Sequence, residues 1–95
     1  MQFLAITRRR TERYSEADFA AVLDDEAHRA TTLYAAGLFR SLHSRGDVPG
    51  AVIVLEAADR EAARASMDSL PLAKLGMMDV ELIPLLPYRA FVPKG

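Results

Sequence analysis

Apolar and polar positions alternate with two different periods along this chain, and the switches between them predict elements in the order βαββαβ. Gln2 to Thr7 reads as a short strand of apolar and small residues. From Ser15 to Ala36 the apolar side chains Phe19, Val22, Leu23, Ala27, Ala30, Leu33 and Tyr34 recur three and four apart, which predicts one long amphipathic helix. Ser15 is a good N-cap, Asp18 completes a weaker form of the capping box, and Gly37 suits a left-handed helix end. Leu38 to Arg45 changes to period two, with Leu38, Arg40, Leu42 and Ser44 on one face and Phe39, Ser41 and His43 on the other. The turn Gly46 to Gly50 leads into Gly50 to Ala57, apolar at successive positions and β-branched, as in a strand covered on both faces. Asp59 to Leu70 predicts a second helix capped by Asp59, with Ala62, Ala63, Met67 and Leu70 inward, and Pro71 to Gly76 breaks it. Met77 to Leu86 alternates again, and Pro84 puts that strand's end at an edge or bulge. Tyr88, Phe91 and Val92 are apolar but flanked by prolines, so residues 86–95 read as a C-terminal tail.

The order fits a ferredoxin-like α+β fold, a four-stranded antiparallel sheet with two helices on one face. Such a sheet leaves its other face bare. A strand as apolar as Ala51 to Leu55 then exposes a patch unless a second copy covers it. The expectation is a dimeric α+β barrel, a homodimer or larger homo-oligomer, with residues 1–95 as a single domain.

Composition narrows the function classes. A net charge of −1 gives no global field to attract nucleic acid. No apolar run approaches the length of a membrane span, and Met1 to Thr7 is far too short for a signal peptide, so a cytoplasmic protein is expected. The chain has no cysteine and 2 histidines, which removes disulfides, thiol nucleophiles and thiolate metal sites. Arg45-Gly46-Asp47 spells an adhesion tripeptide, a coincidence in a chain without a secretory signal.

One residue breaks the helical pattern. Relative to Glu26, Phe19, Val22 and Leu23 lie seven, four and three residues back, and Ala30 and Leu33 lie four and seven ahead. Glu26 therefore falls near the middle of the apolar stripe, whereas His28 falls opposite with Asp24 and Ala35. A carboxylate aimed into a core costs free energy unless it is paired, protonated or used. The run RRRTER, with Arg8, Arg9, Arg10 and Arg13, reads as a solvated basic loop, or as the source of an arginine that reaches back to an acidic substrate. Asp79 and Glu81 share a face but alternate as any half-exposed strand does.

Two segments carry a resemblance. DDEAHRATTLYAAGLFRSL, Asp24 to Leu42, and DSLPLAKLGMMDVELIPL, Asp68 to Leu85, resemble the muconolactone Δ-isomerase family. There an Asp-Glu on the first helix leads to a glycine and an aromatic-Arg strand, and a Leu-Pro-Leu precedes a Met-Asp-(Ile/Val)-Glu strand. Leu70-Pro71-Leu72 and Met78-Asp79-Val80-Glu81 match the latter. Leu23 and Ser41 depart from it, standing where the family carries a basic residue and a histidine, and His43 shares a strand face with Ser41. The resemblance implies the ferredoxin-like barrel dimer and a double-bond shift by proton abstraction and return, without metal or cofactor. It also places Arg40 near Glu26.

The expected function is a cofactor-independent isomerase or related proton-transfer enzyme acting on a small cyclic carbonyl, lactone or polyketide-type intermediate. Glu26, Arg40 and His43 are the catalytic candidates. Phe19, Leu23, Leu33, Tyr34, Phe39 and Met67 are expected to line a mostly apolar pocket for this small molecule. The alternatives are a non-catalytic small-molecule-binding domain and a cofactor-free monooxygenase on a related barrel.

Overall fold

In the computed structural model, which describes residues 1–91, the first strand β1 (Gln2–Arg9) runs two residues beyond the predicted Thr7. Arg8 and Arg9 belong to it, paired with Asp79 and Met78 of the last strand. The expected basic loop is therefore shorter, and alternation sends the two arginines to opposite faces of the sheet.

The single helix expected over 15–36 is two helices, α1 (Glu16–Ala20) and α2 (Leu23–Ala35). Ser15 and Asp18 form a full reciprocal capping box, the Ser15 hydroxyl accepting the Asp18 N–H and the Asp18 carboxylate accepting the Ser15 N–H. The break follows at Ala21 and Val22, where the Val22 N–H donates to the Phe19 carbonyl three residues back. That tighter turn bends the axis. Gly37, at φ 80°, then takes the left-handed conformation that ends α2.

Strand β2 (Phe39–Ser44) pairs with β3 (Ala51–Glu56), which pairs with β1. Helix α3 (Arg60–Asp68) is capped by the Asp59 carboxylate at the Ala62 N–H. The Pro71–Gly76 segment, expected only to break that helix, forms a further short helix, α4 (Pro71–Lys74), with proline at its first turn. Strand β4 (Met78–Leu85) completes an antiparallel sheet of order β2-β3-β1-β4, so Pro84 lies on an edge strand.

The helices cover one face of this sheet. Phe3, Ala5, Ile53, Leu55 and Leu82 pack there with Phe19, Leu33, Ala63, Met67, Leu70 and Leu72. The pairs Leu4–Val54, Leu4–Ile83 and Ile6–Val52 put those side chains on the opposite face, where they are half-buried and no helix among the described residues covers them. Strand β3 is thus covered by this chain on one side. Tyr88 and Phe91, tail residues with ring centroids 5.2 Å apart, project with Leu86 into solvent, and Val92 lies outside the described residues. Among the described residues no helix is long and apolar enough to cross a membrane.

Candidate active site

Ala27 and Ala30 face the sheet from α2 with side chains too short to fill the space beneath them. The result is a cleft of about 330 Å³ between α2, the ends of β1, β2 and β3, and the start of α4. Its apolar walls include Leu23, Leu42, Ile53, Leu70, Leu72 and Met78, and Thr7, Arg9, Glu26, His43 and Ser44 are the polar residues that border it. A volume of this order suits a small ring compound.

Glu26 is held by an unusual partner. Pro71 has no N–H, and Leu70 offers no side-chain cap, so the first free amide of α4 is that of Leu72. Glu26 Oε1 accepts that N–H at 2.9 Å. Burial raises the Glu26 carboxyl above its ordinary pKa, while the Leu72 N–H and the positive charge of Arg9 pull the other way. The net effect is a carboxylate more basic than a solvated one, and among the described residues Oε2 has no hydrogen-bond partner.

Arg9 enters the cleft from the last position of β1, its backbone N–H donating to the Pro49 carbonyl at 2.9 Å. Its guanidinium lies over the Phe19 ring, 5.6 Å from the centroid. Thr7 is buried two residues earlier on the same face, and its hydroxyl accepts the Ala51 N–H at 2.9 Å. Gly50 closes this floor, because a Cβ there would stand 2.1 Å from the Thr7 carbonyl oxygen. Arg45 ties the same loop down, donating to the Thr7 carbonyl and to the Asp47 carboxylate. The adhesion-like tripeptide is therefore closed on itself.

No protein-family model matches the sequence, and no curated protein matches it. Solved structures do. The crystal structure of muconolactone isomerase aligns over 100% of this chain and 98% of its own, with a TM-score of 0.78 and 21% identity. The fold is that of muconolactone isomerase. A 5-chloro-2-hydroxyhydroquinone dehydrochlorinase from Burkholderia phenoliruptrix AC1100, in complex with 2,5-dihydroxybenzoquinone, aligns over 95% of this chain and 98% of its own, with a TM-score of 0.66 and 16% identity. At such identities the likeness is one of fold, and chemistry rests on the side chains in the cleft.

On this muconolactone isomerase fold the sequence-derived candidates fall into three groups. Glu26 and Leu23 line the cleft, whereas His43 borders it through the edge of β2, its pairing with Val52 turning the side chain to the opposite face of the sheet, away from Glu26. Tyr34 and Arg40 line a broader open groove of about 470 Å³ on the other side of Ala30, Leu42 and His43. Phe19, Leu33, Phe39 and Met67 are core residues, and Phe19 meets the cleft only through the Arg9 side chain stacked on it.

Arg40 is outside the cleft for a local reason. The β2–β3 register skips it, since Phe39 pairs with Leu55 and Ser41 with Val54. This bulge reverses the expected alternation, so Phe39 shares the helix-side face with Leu42 and Ser44, and Arg40 turns to solvent. Its charge lies 3.9 Å from Glu56 in a loose surface pair. Asp79, on the open face, is bridged by Arg8 at 2.6 Å and Arg10 at 2.7 Å and sits below its ordinary pKa for that reason. Among the described residues no three His, Asp or Glu side chains gather as a metal site would require. Sequence reasoning missed Thr7 as a cleft residue and raised Arg9 only as one of several arginines that could reach back to an acidic substrate. The signal was present in the alternation Ile6-Thr7-Arg8-Arg9, which continues the strand into the basic run.

Proposed function

We propose that this protein is a proton-transfer enzyme, a cofactor-independent isomerase acting on a small cyclic carbonyl compound such as an unsaturated lactone. The observation that carries the reading is Glu26, a carboxylate of raised basicity facing an apolar cleft, with one oxygen fixed by Leu72 and the other free. The two fold neighbours described above are enzymes named for small oxygenated ring compounds, which supports a related substrate.

The chemistry balances without a co-reactant. Glu26 Oε2 takes a proton from a carbon activated by the carbonyl, and the C–H electron pair moves into the conjugated system as an enolate. The same carboxyl returns the proton to a different carbon, the double bond shifts, and Glu26 is again ionised. The low-polarity walls keep the base near its working pKa and exclude bulk water from the enolate.

A second reading has its own observation. Because Glu26 holds the Leu72 amide, its burial is also explained by a structural role in a non-catalytic binding domain. Incubating a panel of unsaturated lactones with the protein in deuterium oxide separates the two. Incorporation of deuterium by the wild-type chain and its loss in Glu26→Gln support the enzyme. Ligands that bind yet never exchange leave only the binding domain.

The working unit we propose is a homodimer or larger ring. The uncovered face carrying Leu4, Ile6, Val52, Val54 and Ile83 would meet the same face of a second copy, and the exposed tail through Tyr88 and Phe91 would reach a neighbouring chain.

A further inference from the structure

We propose that the Thr7 hydroxyl is the hydrogen-bond donor that seats the ligand, holding the carbonyl oxygen of an uncharged ring compound at the floor of the cleft. This rests on the cleft being the ligand site, as the proposed function does, and names the group that would hold the enolate oxygen there.

Thr7 is 3% exposed, and alternation along β1 puts its side chain on the helix-side face with Phe3 and Ala5, where it borders the cleft. The β1–β3 ladder stops at Ile6–Val52. Beyond it the Arg45 guanidinium donates to the Thr7 carbonyl, and the Ala51 N–H donates to the Thr7 hydroxyl oxygen instead. That bond uses a lone pair of the oxygen and leaves the hydroxyl hydrogen to find an acceptor of its own. The Thr32 and Ser69 hydroxyls donate to the His28 and Ser66 carbonyls. Thr7 is more buried than either, yet among the described residues its hydroxyl has no acceptor. A buried donor without a partner carries a desolvation cost that an occupant bearing an acceptor removes.

Glu26 supplies the complement. Its Oε2 has no hydrogen-bond partner among the described residues, and Glu26 lines the same cleft. A donor in Thr7 and an acceptor in Glu26 thus stand in one cleft without being bonded to each other. A carbonyl compound with an acidic C–H meets both, its oxygen at the hydroxyl and its C–H at the carboxylate. As the C–H electron pair moves into the conjugated system, charge gathers on the carbonyl oxygen. The Thr7 hydrogen bond then strengthens while its proton stays on Thr7. Arg9 and Glu26 offset each other's charge across the cleft, so the occupant needs none.

The test compares coumarin, an unsaturated lactone with no saturated carbon from which a proton could be drawn, with 2H-chromene, the same bicycle bearing CH2 in place of the carbonyl. In the wild-type chain the carbonyl stretch of bound coumarin should lie below its value in an alkane solvent. The ring hydrogen beside that carbonyl should show a nuclear Overhauser effect to the Thr7 methyl group. Thr7→Val should lower the coumarin-to-chromene affinity ratio by about fivefold or more, the weight of a hydrogen bond lost in a desolvated site. It also deprives the Ala51 N–H of its acceptor, so both probes are measured on the same variant and only their ratio is compared. Thr7→Ser, which keeps the hydroxyl, should restore the ratio. If Thr7→Val does not fold, the two wild-type measurements decide. A carbonyl stretch at the alkane value, a carbonyl seated away from the Thr7 methyl, or a wild-type chain that binds neither probe would each overturn the inference. So would a ratio that survives Thr7→Val or that Thr7→Ser fails to restore. Failure of the deuterium exchange would instead end the isomerase reading and leave these outcomes untouched, since coumarin has no proton to exchange by that route.

Discussion

Glu26 Oε1 accepts the backbone N–H of Leu72 at 2.9 Å, so a side chain of α2 caps a helix that cannot cap itself. Leu70 contributes no side-chain acceptor there, and Pro71 contributes no amide hydrogen. One carboxylate oxygen is therefore committed to the fold, and the other faces the cleft. The two roles can be separated by substitution, because an amide side chain keeps the acceptor and removes the base.

Glu26→Gln should retain the bond to Leu72, melt at or above the wild-type temperature near neutral pH, and lose at least about a hundredfold in turnover, the usual weight of a general base. On sequence alone, Glu26→Leu would cost little if Glu26 were only an unwanted buried charge. The structure reverses that expectation, since leucine leaves the Leu72 amide without an acceptor at a cost of about 1–3 kcal/mol, partly offset by removing the charge. Thermal unfolding of the two variants beside a turnover assay checks both statements. Full activity in both would end the catalytic claim.

The pH dependence follows from the raised Glu26 carboxyl. It binds its proton more tightly in the native protein than in the unfolded chain, so its contribution to stability is full below the ordinary value of 4.5 and falls as pH rises through the native value. The stability of wild type relative to Glu26→Gln should decline from about pH 4.5 upward and then level off, in denaturant titrations at a series of pH values. Turnover should move the opposite way and rise over the same window, because the base form does the work. Asp79 acts in a different range, since Arg10 and Arg8 hold it below 3.8 and its contribution is lost only as pH falls through that lower value. A wild-type advantage that grows with pH above 4.5 would contradict the assignment to Glu26.

The elements were legible wherever burial alone decides them. Ala63, Met67 and Leu70, the inward positions that helical spacing indicates, lie in the core. What periodicity could not supply were local backbone events with no hydrophobic signature. The bulge at Arg40 reverses every face assignment on one side of it, the turn at Val22 divides a continuous apolar stripe, and a proline read as a breaker starts α4 instead. The cleft inherits these errors. Glu26 was visible because a carboxylate in an apolar stripe breaks a rule, whereas Arg9 hid among neighbouring arginines and its strand register became clear only from the pairing with Met78. Phe39 and Met67 satisfy the same periodicity as pocket residues would, and only packing distinguishes core from lining.

That distinction gives a test of its own. Met67 is 0% exposed and does not line the cleft, so Met67→Ala should cost about 2–5 kcal/mol through the cavity it leaves. Ligand affinity measured well below the melting temperature should be unchanged. Leu23→Ala should show the reverse, a small stability change with weaker binding of the ring, because Leu23 stands partly exposed at the cleft wall.

Two glycines of the same hairpin should behave differently. Gly50→Ala drives a Cβ to 2.1 Å from the Thr7 carbonyl oxygen, a backbone atom that cannot step aside without moving the end of β1. It should destabilise by about 1–3 kcal/mol or more and disturb the Thr7–Ala51 bond that floors the cleft. Gly46→Ala meets nothing within 4 Å and should be nearly neutral in the same denaturant titration. Equal effects at both positions would mean that the hairpin does not close against Thr7.

Assembly is the last property that one substitution can decide. Val54 pairs with Leu4 on β1 and Ser41 on β2, near the centre of the sheet face that no helix covers. Its neighbours Leu4, Ile6 and Val52 are half-buried in one copy, so water still reaches a contiguous aliphatic strip. The rim of that strip carries both signs, with Arg8 and Asp79 toward one end and Glu56 toward the other, which is compatible with the same patch meeting itself. If a second copy covers the strip, Val54→Asp places a carboxylate in the middle of an apolar contact. The variant should sediment as a folded monomer, with unchanged far-ultraviolet circular dichroism, at concentrations where the wild-type chain is a dimer or larger. Folding of the single chain should survive, because Val54 faces away from the core built on Phe3, Ile53 and Leu55. A wild-type chain that sediments as a stable monomer at micromolar concentration refutes the assembly. So does a Val54→Asp variant that associates as strongly as the wild type.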